Sequence, residues 1–226
     1  MTYTGLTESD FARARRHLMR RDPRLAPLIK RVGACGLIDS RASEPFASLV
    51  RAILSQQLSG KAAQTIHGRV IELAGGVSGM TPAGILQLDP AALRGAGVSF
   101  PKISYIRDLA ERVADGRLDL GALETQPDEA VIDAITAVKG LGRWSAEMFL
   151  MFRLNRPDIF PVGDLGIVKG VQTLLGMKRR PKPSTMLRAA ELWRPYRSVA
   201  AWYLWRIEDR DVRVNVLARR TVLVTR

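Results

Sequence analysis

From Thr7 to Ile207 the chain is a succession of short apolar stripes at helical spacing, most of them opened by a capping residue or a proline. This pattern restricts it to a nearly all-helical fold. Thr7 with Asp10 opens a first helix, Asp22-Pro23 a second, and Ser43 a third, whose stripe is Phe46, Leu49, Val50, Ile53 and Leu54. A turn at Ser59-Gly60 leads into a fourth carrying Ala63, Ile66 and Val70. Thr81-Pro82 and Asp89-Pro90 read as successive starts of short helices, because proline loses nothing at a position whose amide has no intrahelical partner. Pro101 opens a longer helix through Ile103, Ile106, Leu109 and Val113, and further helices are expected over 128–138, 144–154, 164–175, 184–193 and 197–207. Only the tail, where Val212, Val214 and Val216 alternate, has the period of a strand.

Composition narrows the function. With 46% hydrophobic and 25% charged residues over 226 positions, disordered and collagen-like chains are excluded. A net charge of +13 creates a field that gathers polyanions such as nucleic acid or an acidic membrane surface, although an arginine excess of no functional meaning would produce the same number. Cys35 is the only cysteine, which rules out an intramolecular disulfide, a cysteine-rich zinc site and a four-thiolate iron–sulfur cluster. The stretch from Met1 to Phe11 is polar and acidic, and no apolar run approaches bilayer length. A cytoplasmic protein is therefore expected, or a nuclear one in a eukaryote.

One turn carries a mechanical meaning. Val138-Lys139-Gly140-Leu141-Gly142 lies between two helices, where its glycines permit a tight turn and a close backbone approach, and the amides opening the next helix point outward. A DNA phosphate fits such a place and would fix position without reading sequence, with Lys139 and Arg143 adding charge at the rim. Taken alone, the same residues need do no more than turn the chain.

The run Lys139-Gly140-Leu141-Gly142-Arg143-Trp144-Ser145-Ala146, then Asp158-Ile159-Phe160-Pro161 and Asp164-Leu165-Gly166, resembles the helix-hairpin-helix DNA glycosylases, in particular the DNA-3-methyladenine glycosylase II (AlkA) branch. Ile53-Leu54-Ser55-Gln56-Gln57-Leu58-Ser59 and the segment from Trp193-Arg194-Pro195-Tyr196-Arg197-Ser198 through Trp205 extend the resemblance over roughly residues 10 to 208. It implies an all-α, two-lobed fold with the active cleft between a lobe over about 40–125 and another over 1–39 plus 126–208, leaving 209–226 unassigned. The mixed α/β N-terminal subdomain of some relatives is not expected here.

The resemblance also assigns roles. Asp164 falls at a helix start, where an aspartate is ordinarily only a cap; in the family the matching carboxylate faces the substrate sugar. Cleavage of the N-glycosidic bond builds positive charge on the deoxyribose, which a fixed anion stabilises, and the same group can orient water. Trp144 and Trp205 match positions lining the base pocket, where an aromatic face attracts a cationic methylated base, and Met148, one turn beyond Trp144, would face the same space. Gln57, with Leu58 beside it, matches the residue that fills the gap left by an everted base. It also continues the apolar spacing of Phe46, Val50, Ile53 and Leu54. Ser59 and Lys61 would join Gly140, Gly142, Lys139 and Arg143 on the DNA backbone, with the loop Lys178–Lys182 as a further candidate.

Relatives that also cut the strand carry a lysine where this chain has Trp144, so an enzyme using water alone is expected. No cofactor is expected, apart from a sodium or potassium ion that the family's hairpin would hold on the carbonyls of Val138 and Leu141. His17 and His67, the only histidines, lie on predicted helices and are read as surface or core residues. Gly163 stands where close relatives often have a second acid. The expected partner is double-stranded DNA with damaged bases, bound by a monomer. Two rival readings are a glycosylase for oxidised or mispaired bases and a non-catalytic module that keeps only the hairpin.

Overall fold

A computed structural model describes residues 5–37 and 44–207. Among them are twelve α-helices: α1 (Glu8–Arg21), α2 (Ala26–Val32), α3 (Pro45–Ser55), α4 (Gly60–Leu73), α5 (Pro82–Gln87), α6 (Pro90–Gly95), α7 (Phe100–Ala114), α8 (Asp128–Thr136), α9 (Arg143–Met148), α10 (Leu165–Leu175), α11 (Pro183–Ala190) and α12 (Arg197–Arg206). No strand occurs among the described residues. Ser43 and the alternating valines of the tail lie outside them.

The start signals act as the sequence predicts. Thr7 donates its amide and hydroxyl to Asp10 at 3.0 and 2.6 Å, and the Thr81 hydroxyl and Asp89 carboxylate accept the amides of Gly84 and Ala91, both at 3.1 Å. Such caps satisfy amides that have no intrahelical partner and contribute about 1 kcal/mol each. Asp22 is the exception. It does not open the second helix, which begins at Ala26 after a turn. Its carboxylate is instead buried to 1% exposure, accepting the Arg24 amide and guanidinium at 3.1, 2.7 and 2.8 Å and the Trp193 indole at 2.9 Å. The helix expected over 144–154 also changes character midway, passing from α9 into a π-helical turn at Phe149–Arg153.

The described chain forms two compact units. The first, 44–153, packs around α7, whose Ile103, Ile106 and Leu109 are buried and which contacts α3, α5 and α6. Val50, Ile53 and Leu54 of α3 are fully buried, worth about 1.5–3 kcal/mol each relative to exposure. The second unit, 5–37 with 154–207, is built on α12, buried from Ser198 through Leu204 against α1, α2 and α10. A helix covered all round has no apolar stripe, and α12 shows none. The hairpin therefore groups with the α3–α4 turn in the first unit, whereas the sequence division put it with Asp164; contacts of α8 with α9 and of α3 with the π turn tie it there.

Burial pushes the Asp22 carboxyl up, but the Arg24 and Trp193 hydrogen bonds outweigh it and hold the group below the usual carboxylate range. A depressed carboxylate contributes stability that is present above its unfolded value and lost as pH falls through the folded one. Asp22→Asn should lower stability at neutral pH by about 1–3 kcal/mol. Urea midpoints followed down to about pH 2 should fall more steeply for the parent than for this variant; parallel curves would show that Asp22 carries no such linkage.

Candidate active site and nucleic-acid interface

Asp164 is the N-cap of α10, and its Oδ1 accepts the Ile167 amide at 2.8 Å. An ordinary cap would stop there. The same oxygen also accepts the indole N–H of Trp205 at 2.8 Å, so two donors fix the plane of the carboxylate. Gly166 makes this possible: a Cβ there would lie 2.6 Å from Trp205 Cδ1 and 3.1 Å from Asp164 Oδ1. One turn later Gly170 lets α12 approach, since its Cβ would meet the Leu204 carbonyl at 2.6 Å. The two glycines thus form the face on which α12 lies and from which it delivers the indole. Asp164 is partly exposed between exposed Gly163 and Leu165, the latter at 65%.

The loop leading to Asp164 is tied to the same helix. Asp158 accepts the Arg197 guanidinium at 2.8 and 2.9 Å and that of Arg194 at 2.9 Å, while the Ser198 hydroxyl donates to the Arg156 carbonyl at 2.6 Å and accepts the Ile159 amide at 2.9 Å. Carboxylate and indole therefore hang from one framework. Asp158, Arg197, Ser198 and Gly166 give no local sign of this role, because their partners stand about 40 residues away or, for Gly166, on another helix.

The other predicted site residues belong to the first unit. α3 ends at Ser55, and Gln57 lies beyond its C-cap with φ +57°, so it does not continue the apolar stripe as its spacing predicted. A left-handed residue other than glycine costs about 1–3 kcal/mol and is kept only where surroundings enforce it. Gln57 and Leu58 are exposed; Ser59 caps α4, accepting the Ala62 amide at 3.4 Å, and Lys61 is exposed on its first turn.

Two residues not foreseen hold this turn. Lys102 donates to the carbonyls of Leu54 and Gln56 at 2.8 and 2.6 Å, and Gln56 Nε2 donates to the Gly140 carbonyl at 2.8 Å.

In the hairpin the Leu141 amide closes onto the Val138 carbonyl at 3.1 Å. Gly140 has φ +78° and sits on the Tyr105 ring, which a Cβ there would overlap. Gly142 is different: its backbone is extended and a Cβ would enter open space, so nothing inside the protein requires glycine there. Asp108 accepts the Lys139 amide at 2.9 Å and lies 3.9 Å from its ammonium, whose side chain stays exposed. The Arg143 guanidinium pairs with Glu129 at 2.7 Å and Glu147 at 3.3 Å. Trp144 is 47% exposed, and Met148 follows it by one turn, half-buried.

The remaining candidates resolve simply. His17 packs edge-on against Tyr196 at 5.3 Å, and His67 is half-buried, its pKa pushed down by burial and by Arg51. Burial pushes the Cys35 thiol up to about 12, which leaves it un-ionised at neutral pH. No cluster of metal-ligating side chains occurs among the described residues. Lys178, Arg179, Arg180 and Lys182 are exposed in the second unit.

The helical chain thus carries a two-glycine hairpin and a helix-capping aspartate held by an indole. Residues 50–195 match the HhH-GPD superfamily base excision DNA repair proteins, and the chain belongs to that family. It is similar to a DNA-3-methyladenine glycosidase of Bacillus halodurans, with a TM-score of 0.78 and 39% identity over 88% of this chain and 91% of that one. The Schizosaccharomyces pombe 3-methyladenine DNA glycosylase (Mag1), solved in complex with abasic DNA, gives a TM-score of 0.76 at 35% identity, covering 86% and 95% of the two chains. A Saccharomyces cerevisiae DNA-3-methyladenine glycosylase is 33% identical over 93% of this chain and 75% of its own length.

Alanine is the better helix former by about 1 kcal/mol, so any damage from Gly166→Ala must come from the crowded indole. The Trp205 indole N–H resonance should shift and exchange faster with solvent in this variant. An unchanged resonance would mean the Asp164 contact survives the added methyl.

Proposed function

We propose that this chain is a monofunctional DNA glycosylase that hydrolyses the N-glycosidic bond of alkylated bases of the 3-methyladenine type in duplex DNA, the first step of base excision repair. The observation that carries the reading is the Asp164 carboxylate, held in one plane by the Ile167 amide and the Trp205 indole. As the base departs, positive charge gathers on the deoxyribose, and a fixed anion that need not reorganise stabilises it. The same carboxylate orients a water molecule, whose oxygen bonds to the anomeric carbon and whose proton passes to the carboxylate, while the electron pair of the broken carbon–nitrogen bond leaves with the base. A 3-methylpurine is already cationic and leaves as a neutral molecule, so no strong general acid is needed.

In the first unit exposed Trp144 would offer an aromatic face to such a cation, with Met148 one turn on as a softer wall; in the second, Trp205 matches a further position that lines the family's base pocket. Gln57 and Leu58 fill the gap left by the everted base. Gly142, free of any internal need for glycine, allows a phosphate close to the hairpin backbone, with Gly140 shaping the turn and exposed Lys139, Lys61 and Ser59 adding contacts. Arg143 would have to leave Glu129 to reach a phosphate, an exposed pair of modest strength.

The carbonyls of Val138 and Leu141 suit a sodium or potassium ion: both are neutral oxygens, and Val138 retains a second lone pair beyond the one that takes the Leu141 amide. Such an ion would brace the turn; no step of the reaction passes through it. The enzyme acts as a monomer on DNA in the nucleoid or nucleus. No helix among the described residues is long and apolar enough to cross a membrane.

Asp164→Asn should reduce release of methylated bases from duplex DNA by roughly 10²–10³-fold or more, by analogy with loss of other preorganised charge, while DNA affinity in a gel-shift assay holds. Undiminished release would overturn the assignment. Borohydride added during turnover should trap no protein–DNA adduct, because Trp144 stands in place of a lysine nucleophile; a trapped adduct would favour a strand-cutting enzyme for oxidised bases.

A further inference from the structure

The turn that carries Gln57 and Leu58 is poorly held by its own backbone. The Gln56 amide reaches the Ile53 carbonyl at 3.3 Å and the Leu58 amide reaches that of Ser55 at 3.3 Å, both at the long end of hydrogen bonding. The C-terminal carbonyls of α3 need other partners. Lys102 supplies them, with much shorter bonds of 2.8 Å to Leu54 and 2.6 Å to Gln56. Those two carbonyls bracket the end of the helix just before the left-handed Gln57.

Lys102 lies partly buried on α7, along a pocket of about 200 Å³ formed with Leu54, Gln57, Leu58, Ile66 and Val98. Burial pushes its pKa down from the ordinary lysine value. The same helix carries Tyr105, beneath Gly140, and Asp108, which accepts the Lys139 amide. Gln56 then joins the turn to the hairpin directly through Gly140.

We propose that Lys102 is a positioning residue for base eversion: by filling the carbonyls that end α3 it holds Gln57 in its left-handed conformation, and through α7 it fixes that turn against the hairpin. The inference rests on Gln57 acting as the wedge. It assigns Lys102 no contact with DNA, since its bonds run to the protein's own backbone. Its loss should therefore impair eversion from a stacked duplex and spare the binding of phosphates.

Lys102→Met, Lys102→Arg and Gln57→Ala are compared in single-turnover release from two duplexes, one with the lesion paired and one with it opposite an abasic gap, where unstacking is cheap. Lys102→Met should slow the paired duplex by about tenfold or more and the gapped one by less than about twofold, and Lys102→Arg, which keeps a cation for the carbonyls, should recover most of the paired rate. The slope of log affinity against log salt should stay unchanged. Equal losses on both duplexes, a paired rate that does not fall, or no recovery by arginine would overturn the proposal. So would a salt slope reduced by about one, the mark of a lost phosphate contact. If Gln57→Ala leaves the paired-to-gapped ratio at its parent value, the wedge reading fails and takes the proposal with it. If Gln57→Ala changes that ratio and Lys102→Met does not, the wedge stands and Lys102 has no part in it.

Discussion

The site depends on one oxygen. Asp164 Oδ1 takes a hydrogen bond from the first turn of its own helix and another from an indole on a helix 41 residues away. The first bond is local and any N-cap could make it. The second requires α12 to lie against α10 closely enough for Trp205 to reach, and only glycine at positions 166 and 170 leaves that space. Burial of α12 on all sides and the Asp158–Arg197 clamp then hold the helix there, so the second unit is organised around the approach of these two helices.

In the first unit α7 has the comparable role. Its buried face packs α3, α5 and α6, while Lys102, Tyr105 and Asp108 reach the two exposed turns. A turn and a hairpin that each protrude into solvent have little apolar surface with which to fix themselves. Hydrogen bonds from this helix to backbone atoms of the turn and hairpin provide the restraint instead, while the side chains of Gln57, Leu58 and Lys139 stay exposed.

Much of this was legible in the residues. Helix starts at Thr7, Ser59, Thr81 and Asp89 follow from caps whose partners lie two or three positions away, and Asp164 and the hairpin stand out through short motifs. The errors share a cause. Asp22 looked like a cap because its neighbours are those of a cap, yet Trp193 claims it from 171 positions away. Gln57 fitted the stripe of α3 until the helix ended before it.

The sequence by itself determined an all-helical chain, the hairpin, the aspartate at a helix start and a charge suited to DNA, because each is written in spacings shorter than two helical turns or in composition. Tertiary structure alone decided that Trp205 would reach Asp164, that the hairpin would group with the α3–α4 turn, and that Lys102 would close the end of α3. Those outcomes depend on which helices can approach one another, and approach is set by side-chain volume at positions distant in the chain, to which no local period is sensitive.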